Sequence, residues 1–245
     1  MKTKKNTIFI SASSSGIGFH LANKYKQLGY QLIINGKNKI KLKKAASKLN
    51  CDYFLGDLTK EEKINELIRK IKKNYNFIDT LICNLGNSNF KKNNKNFKNA
   101  LKYNFYSTVH LVENSMSILK KNKSKIICIS SICGLEKIEG APIGYSVAKS
   151  ALNFYIKLIS NELAKSKITI NGIVPGNILF EGSTWDLKMK KNTKKTKKYI
   201  KENVPVNKFG TVDDVFHICK MLSENNSSFI TGSLFKLDGG QTKSS

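Results

Sequence analysis

The stretch Ser11–Gly18, SASSSGIG, decides how the rest of the chain is read. It follows an apolar run, Thr7-Ile8-Phe9-Ile10, and precedes Leu21, Ala22, Tyr25 and Leu28, which recur at helical spacing. Strand, small-residue turn, helix is the layout that offers backbone N–H groups and the positive end of a helix dipole to a phosphate. Gly16 and Gly18 allow the close backbone approach such a site needs. The position where these loops carry their first glycine holds Ala12, whose extra methyl is tolerated if its φ is negative. The loop is therefore expected to bind a dinucleotide.

Outward from this loop, short β-like runs alternate with amphipathic stretches along the whole chain. The strand candidates are residues 7–11, 31–35, 52–56, 80–84, 125–130, 168–174 and 233–238. Between them lie helix-like segments such as Glu61–Lys73, with Ile64, Leu67, Ile68 and Ile71 on one face. Apolar runs separated by helices imply a parallel sheet covered on both sides. No repeat or Pro/Gly-rich boundary divides residues 1–245, so the expectation is one domain with a doubly wound α/β, Rossmann-type fold. Its ligand cleft should lie at the carboxyl ends of the strands.

Composition sets the limits. A chain of 245 residues with 40% hydrophobic content can bury a full core. No apolar run approaches the ~18 residues of a membrane span. The four apolar residues after the basic start fall short of a secretory h-region of about 7–15. Cys51, Cys83, Cys128, Cys133 and Cys219 contain no C-x-x-C pair, which reads as reduced thiols in a cytoplasmic protein. The formal charge is +26, yet all but Arg69 of the 43 basic residues are lysines scattered over every segment. That is a solvated surface and not a nucleic-acid footprint. Lysines are densest at Lys91–Lys98 and Lys188–Lys201, and those of the second stretch would also suit a carboxylate, phosphate or acyl-carrier substrate. His20, His110 and His217 lack metal-ligand spacing, so no metal is expected.

Tyr145 and Lys149 are four residues apart at the start of a helical stretch and project from one face. A phenol with a pKa near ~10 is a poor acid at neutral pH, and a neighbouring ammonium lowers it. Other motifs accompany this pair in order. They are Asp57-Leu58, Cys83-Asn84-Leu85-Gly86, Asn104, Ile129-Ser130-Ser131, Pro175-Gly176 and Asp238-Gly239-Gly240. Together with SASSSGIG they resemble the short-chain dehydrogenase/reductase family over essentially the whole chain. The pattern is most similar to its 3-oxoacyl-[acyl-carrier-protein] reductase-like members.

The resemblance implies an oxidoreductase acting on CH–OH and C=O groups. Tyr145 would be the proton donor, with Lys149 lowering its pKa and binding the nicotinamide ribose. Ser131 would hold the substrate oxygen, and Asn104 a water in the proton relay. Ser130 is the less suited serine, displaced to the other face. Cofactor contacts would come from Ser11, Ser13, Ser14, Gly16, Ile17, Gly18, Lys37, Asp57, Leu58, Asn84, Gly86, Tyr145, Lys149, Pro175, Gly176 and Ile178. Cys83, Leu85 and Phe180 depart from the pattern; Phe180 stands where a threonine would contact the nicotinamide carboxamide. Trp185 and the segment Phe180–Tyr199 fall where a substrate lid would lie.

The second strand ends Asn35-Gly36-Lys37-Asn38. NAD-preferring relatives place an acid there for the ribose hydroxyls, whereas Gly36 leaves the position empty and Lys37 suits a 2′-phosphate. NADP(H) is the expected cofactor, with NAD(H) the alternative. The substrate would be a small molecule or an acyl thioester, such as a 3-oxoacyl thioester, a sugar or another small ketone. A non-catalytic cofactor-binding or nucleic-acid-binding protein is the rival class, and intact Ser131, Tyr145 and Lys149 oppose it. The wide apolar stripe Ala151, Phe154, Tyr155, Leu158, Ile159 and Leu163 suggests a homo-oligomer, a tetramer or a dimer.

Overall fold

A computed structural model describes residues 6–88 and 94–243; Lys91 and Lys92 of the first lysine-dense stretch lie outside them. Every apolar run named above forms a strand, with ends within one residue of those expected. The strands are β1 (Thr7–Ile10), β2 (Gln31–Gly36), β3 (Asp52–Leu55), β4 (Thr80–Cys83), β5 (Lys125–Ile129), β6 (Thr169–Pro175) and β7 (Leu234–Leu237). They form one seven-stranded sheet in the order β3-β2-β1-β4-β5-β6-β7. All neighbours are parallel.

Alternation along each strand divides the core into two layers. Phe9, Ile33, Leu81, Ile126 and Ile170 face one side, under α3 (Glu61–Tyr75), α5 (Ser107–Asn114) and α6 (Ile143–Ala164). Ile8, Ile10, Ile34, Ile82, Ile127 and Ile173 face the other, under α1 (Gly16–Gln27), α2 (Lys39–Leu49) and α9 (Val212–Glu224). The fold is a doubly wound α/β sheet in a single domain. The chain order reverses between β1 and β4, so the loops after these strands meet at the switch point where such sheets bind ligands.

Local chemistry explains the ends of several elements. Thr211 and Asp214 form a reciprocal capping box that starts α9. The helical segment before β5 is irregular: α4 (Asn94–Leu101) passes through a π turn over Lys102–Tyr106 into α5, and a 3₁₀ turn, Ser115–Ile118, follows. α7 (Thr184–Lys191) and α8 (Thr193–Asn203) stand between β6 and α9. The five cysteines are free. Among the described residues no helix is long and apolar enough to cross a membrane, and no cluster of His, Cys, Asp or Glu could hold a metal ion.

Candidate active site

The loop after β1 is held from within. Ser11 Oγ accepts from the backbone N–H groups of Asn84 (2.8 Å) and Leu85 (3.1 Å). Ser13 Oγ donates to the Ile10 carbonyl at 2.6 Å and accepts from the Asn35 N–H at 2.9 Å. Both serines are fully buried, so these two residues, expected at the cofactor, instead fix the loop's path. The Asn84 amide donates to the carbonyls of Ser11 and Ala12, and the Ala12 N–H donates to Asn35 Oδ1. These bonds hold Ala12 at φ 49°, in the left-handed region and not at the negative φ expected of a residue with a β-carbon. Gly18 is forced by the same clasp, because a Cβ there would lie 2.5 Å from Asn84 Nδ2.

The N-terminus of α1 opens onto a cavity of about 770 Å³ lined by Ala12, Ser15, Gly16 and Ile17 among others. Ser15, at the N-cap, makes no side-chain bond to the helix, and its first turn contains no acid. Unpaired N–H groups with a positive dipole end suit an anion such as a pyrophosphate. At the end of β2, a Cβ on Gly36 would meet Ser14 Oγ at 2.9 Å, so Ser14 fills the place an acidic side chain would need. Lys37 is exposed, 3.3 Å from Tyr103 Oη and over its ring at 5.0 Å. Asp57 Oδ1 accepts from the Thr59 backbone and hydroxyl, and Leu58 is buried in the core. Lys37, Asp57 and Leu58 lie outside the cavity wall. Asn84, Gly86, Pro175, Gly176 and Ile178 lie within it.

Ser131, Tyr145 and Lys149 converge on the same cavity. Ser131 starts a 3₁₀ turn, Ile132–Gly134, with its hydroxyl accepting from the Cys133 N–H at 3.2 Å. Gly134 packs this turn onto α6: a Cβ there would fall 2.5 Å from the Lys149 carbonyl carbon. Ser130 turns inward and bonds Asn153 Oδ1 at 2.5 Å. Lys149 is 3% exposed; its Nζ donates to the Ile129 carbonyl at 2.8 Å and lies 6.0 Å from the Tyr145 ring centre. Burial pulls its pKa down to about 8, against the opposing pull of the Cys128, Cys133 and Cys83 thiols.

Tyr145 does not show the lowered pKa expected from a lysine neighbour. Burial pushes it up to about 12, only partly offset by the neighbouring Ser131 hydroxyl. The Lys149 ammonium is turned to a carbonyl rather than to the phenol oxygen, so desolvation dominates. Asn104 is buried and its amide is committed. Oδ1 accepts from the Asn87 N–H at 2.8 Å, and Nδ2 donates to the Asn87 and Ala100 carbonyls at 2.9 Å. It lies in the π turn, a backbone irregularity common at functional sites. Gly86 lets it approach the lysine, since a Cβ there would stand 3.1 Å from Asn104 Oδ1 and 3.5 Å from Lys149 Nζ.

Trp185 closes the far wall, stacked on Tyr199 at 5.2 Å and tilted against Phe209 at 5.6 Å. Phe180 lies across the glycine loop, 3.3 Å from the place a Cβ on Gly16 would take. Of the lysines between Lys188 and Lys201, only Lys188 reaches the wall. Asn35 and Gly134 carry site geometry that the sequence reading does not assign. Their signals were a polar residue ending an apolar run and a glycine three residues beyond the serine.

Comparison with known proteins adds an independent line. The family model described as enoyl-(acyl carrier protein) reductase matches residues 11–242. The chain is 30% identical to the 3-oxoacyl-[acyl-carrier-protein] reductase FabG of Rickettsia typhi, covering 96% of this chain and 95% of that protein. It is equally similar, at 30%, to the protein of the same name from Buchnera aphidicola of Acyrthosiphon pisum, with 98% of each covered. Among solved structures it resembles YwfH, an NADPH-dependent reductase involved in bacilysin biosynthesis. The TM-score there is 0.89 at 24% identity, over 99% of this chain and 100% of the other. It also resembles L-sorbose reductase from Gluconobacter frateurii, solved with NADPH and L-sorbose, with TM-score 0.88 at 21% identity over 99% and 98% of the chains.

Proposed function

The chain belongs to the short-chain dehydrogenase/reductase family, and from that premise we propose that it is an NADP(H)-dependent oxidoreductase reducing a ketone to a secondary alcohol, or the reverse. The observation that carries this reading is the convergence of Ser131, Tyr145 and the buried Lys149 on one cavity wall, which the N-terminus of α1 also faces. The uncapped N-terminus of α1, the filled position at Gly36 and the exposed cation of Lys37 favour a dinucleotide with a 2′-phosphate. YwfH is NADPH-dependent and L-sorbose reductase was solved with NADPH, in agreement with that choice.

When bound, the dinucleotide supplies the hydride to the carbonyl carbon. Charge then develops on the carbonyl oxygen, and the Tyr145 hydroxyl gives up its proton there. The raised pKa of Tyr145 keeps the phenol protonated until substrate arrives. The Ser131 hydroxyl donates a hydrogen bond to the same oxygen and fixes its approach. Lys149, released from the Ile129 carbonyl, holds the ribose and stabilises the phenolate left after transfer. Asn104, through its π turn, braces the neighbouring Gly86–Asn87 backbone against the lysine.

The names of the curated relatives favour a 3-oxoacyl thioester, and the likeness to L-sorbose reductase keeps a sugar ketone as the second reading. The test is a screen of NADPH oxidation against 3-oxoacyl thioesters, enoyl thioesters, sugar ketones and small diketones, with Tyr145→Phe beside the wild type. Ketone turnover should fall by ~10²–10⁴ in the variant with NADPH binding kept. Full activity in Tyr145→Phe, or turnover confined to enoyl substrates, would remove the assignment.

A further inference from the structure

Lysine covers this protein, yet among the described residues only Lys149 and Lys188 line the cavity. Lys149 is occupied by the Ile129 carbonyl and the proposed chemistry. Lys188, on α7, has no such role. Its Nζ sits 4.1 Å from the centre of the Trp185 indole, on a ring fixed from its other contacts by Tyr199 and Phe209. Two of its neighbours on α7 and α8 are ion-paired, Lys190 with Asp186 at 2.8 Å and Lys198 with Glu202 at 3.6 Å, and none of the other lysines of these helices lines the cavity. Lys188 makes no ion pair among the described residues, and Glu139, the one acid in the cavity wall, does not reach it.

An ammonium drawn partly out of water and laid on an aromatic face keeps an uncompensated charge. Partial burial accordingly pulls the Lys188 pKa below the ordinary lysine range, and the next influence on it is the Cys133 thiol, two residues from Ser131. The cation therefore shares the compartment of the reacting groups. Burial raises the Tyr199 pKa and Glu139 adds to that rise, so the cavity wall carries one acid besides the Lys188 and Lys149 cations.

We infer that Lys188, held on Trp185, is an anion anchor for the substrate, so that the ketone taken by this site carries a carboxylate or phosphate away from its carbonyl. This rests on the reductase reading above and specifies its substrate class. A carboxylate on the ketone itself and a phosphate on a thioester carrier present the same anionic oxygens, and the choice of probes separates them.

Trp185 is the chain's single tryptophan, so its fluorescence reports the anchor directly and without turnover. The protein, saturated with NADP⁺, is titrated with 3-oxobutanoate and its methyl ester, and with acetoacetyl-coenzyme A and the neutral N-acetylcysteamine thioester. NADPH oxidation is followed with the same four compounds. At least one anionic member should bind about 10-fold more tightly than its neutral partner and show the lower KM, as expected for one charge-assisted contact. Lys188→Met should erase that preference, Lys188→Arg should keep it, and Lys197→Met, on the exposed side of α8, should leave it intact. Equal binding of charged and neutral partners, or a preference that survives Lys188→Met, overturns the anchor. Anion-dependent quenching without NADPH oxidation by any ketone would keep the anchor and remove the reductase reading; turnover of all four compounds alike would do the opposite.

Discussion

Replacing Ala12 by glycine should stabilise this protein, although it deletes a side chain and loosens the unfolded backbone. Ala12 stands at φ 49°, pinned by the amides of Asn35 and Asn84. An L-residue in this region costs ~1–2 kcal/mol, and glycine returns ~0.5–1 kcal/mol through its freer unfolded chain. The net gain is ~0.5–1 kcal/mol. With an unfolding entropy of ~2.1 cal/mol/K per residue, that raises the Tm by ~1–2 °C. Gly16→Ala is the reciprocal change, at φ 60° with the new Cβ 3.3 Å from the Phe180 ring, and by the same balance should lower the Tm by ~1–2 °C. Scanning calorimetry at one protein concentration, without cofactor, isolates the effect from ligand linkage. Because the hydrogen bonds holding the loop run through backbone atoms of residue 12, NADPH affinity should change little in Ala12→Gly. A lower Tm for Ala12→Gly, or the same sign for both variants, would refute the reasoning.

Three further outcomes follow from the same geometry. Lys37→Ala should weaken NADPH by roughly 10- to 150-fold, the loss of a charge-assisted contact, and NADH far less; equal weakening would exclude a 2′-phosphate role. Because the pKa of Lys149 is drawn down to about 8, its ammonium is present below that pH and lost as pH rises through it, while Tyr145, at about 12, stays protonated. Reductive kcat/KM should therefore decline with an apparent pKa near that of Lys149, and a profile flat through the lysine's titration would contradict the role given to its charge. Val147, Phe154 and Leu158 form an exposed apolar edge on α6, at 44%, 62% and 56% exposure, so light scattering in moderate salt should return a multiple of 27.5 kDa. A monomer mass with activity intact would exclude the homo-oligomer.

The sequence by itself determined the architecture. Periodicity is a local property: apolar runs such as TIFI and TLIC can only be buried on both faces, and helical stripes such as that of Ile64, Leu67 and Ile71 can only cover them. The four-residue spacing likewise puts Tyr145 and Lys149 on one helix face. What the tertiary structure decided depends on partners distant along the chain. The φ of Ala12 is imposed by Asn35 and Asn84, 23 and 72 residues away. The inward turn of Ser11 and Ser13 has the same origin. The pKa of Tyr145 rose where a neighbouring lysine suggested a fall, because desolvation is set by everything packed around the phenol and not by one residue a turn away. Along Lys188–Lys201 the lysines are chemically identical in sequence; only the folding of α7 and α8 against Tyr199 and Phe209 turns one of them onto Trp185 and into the cavity.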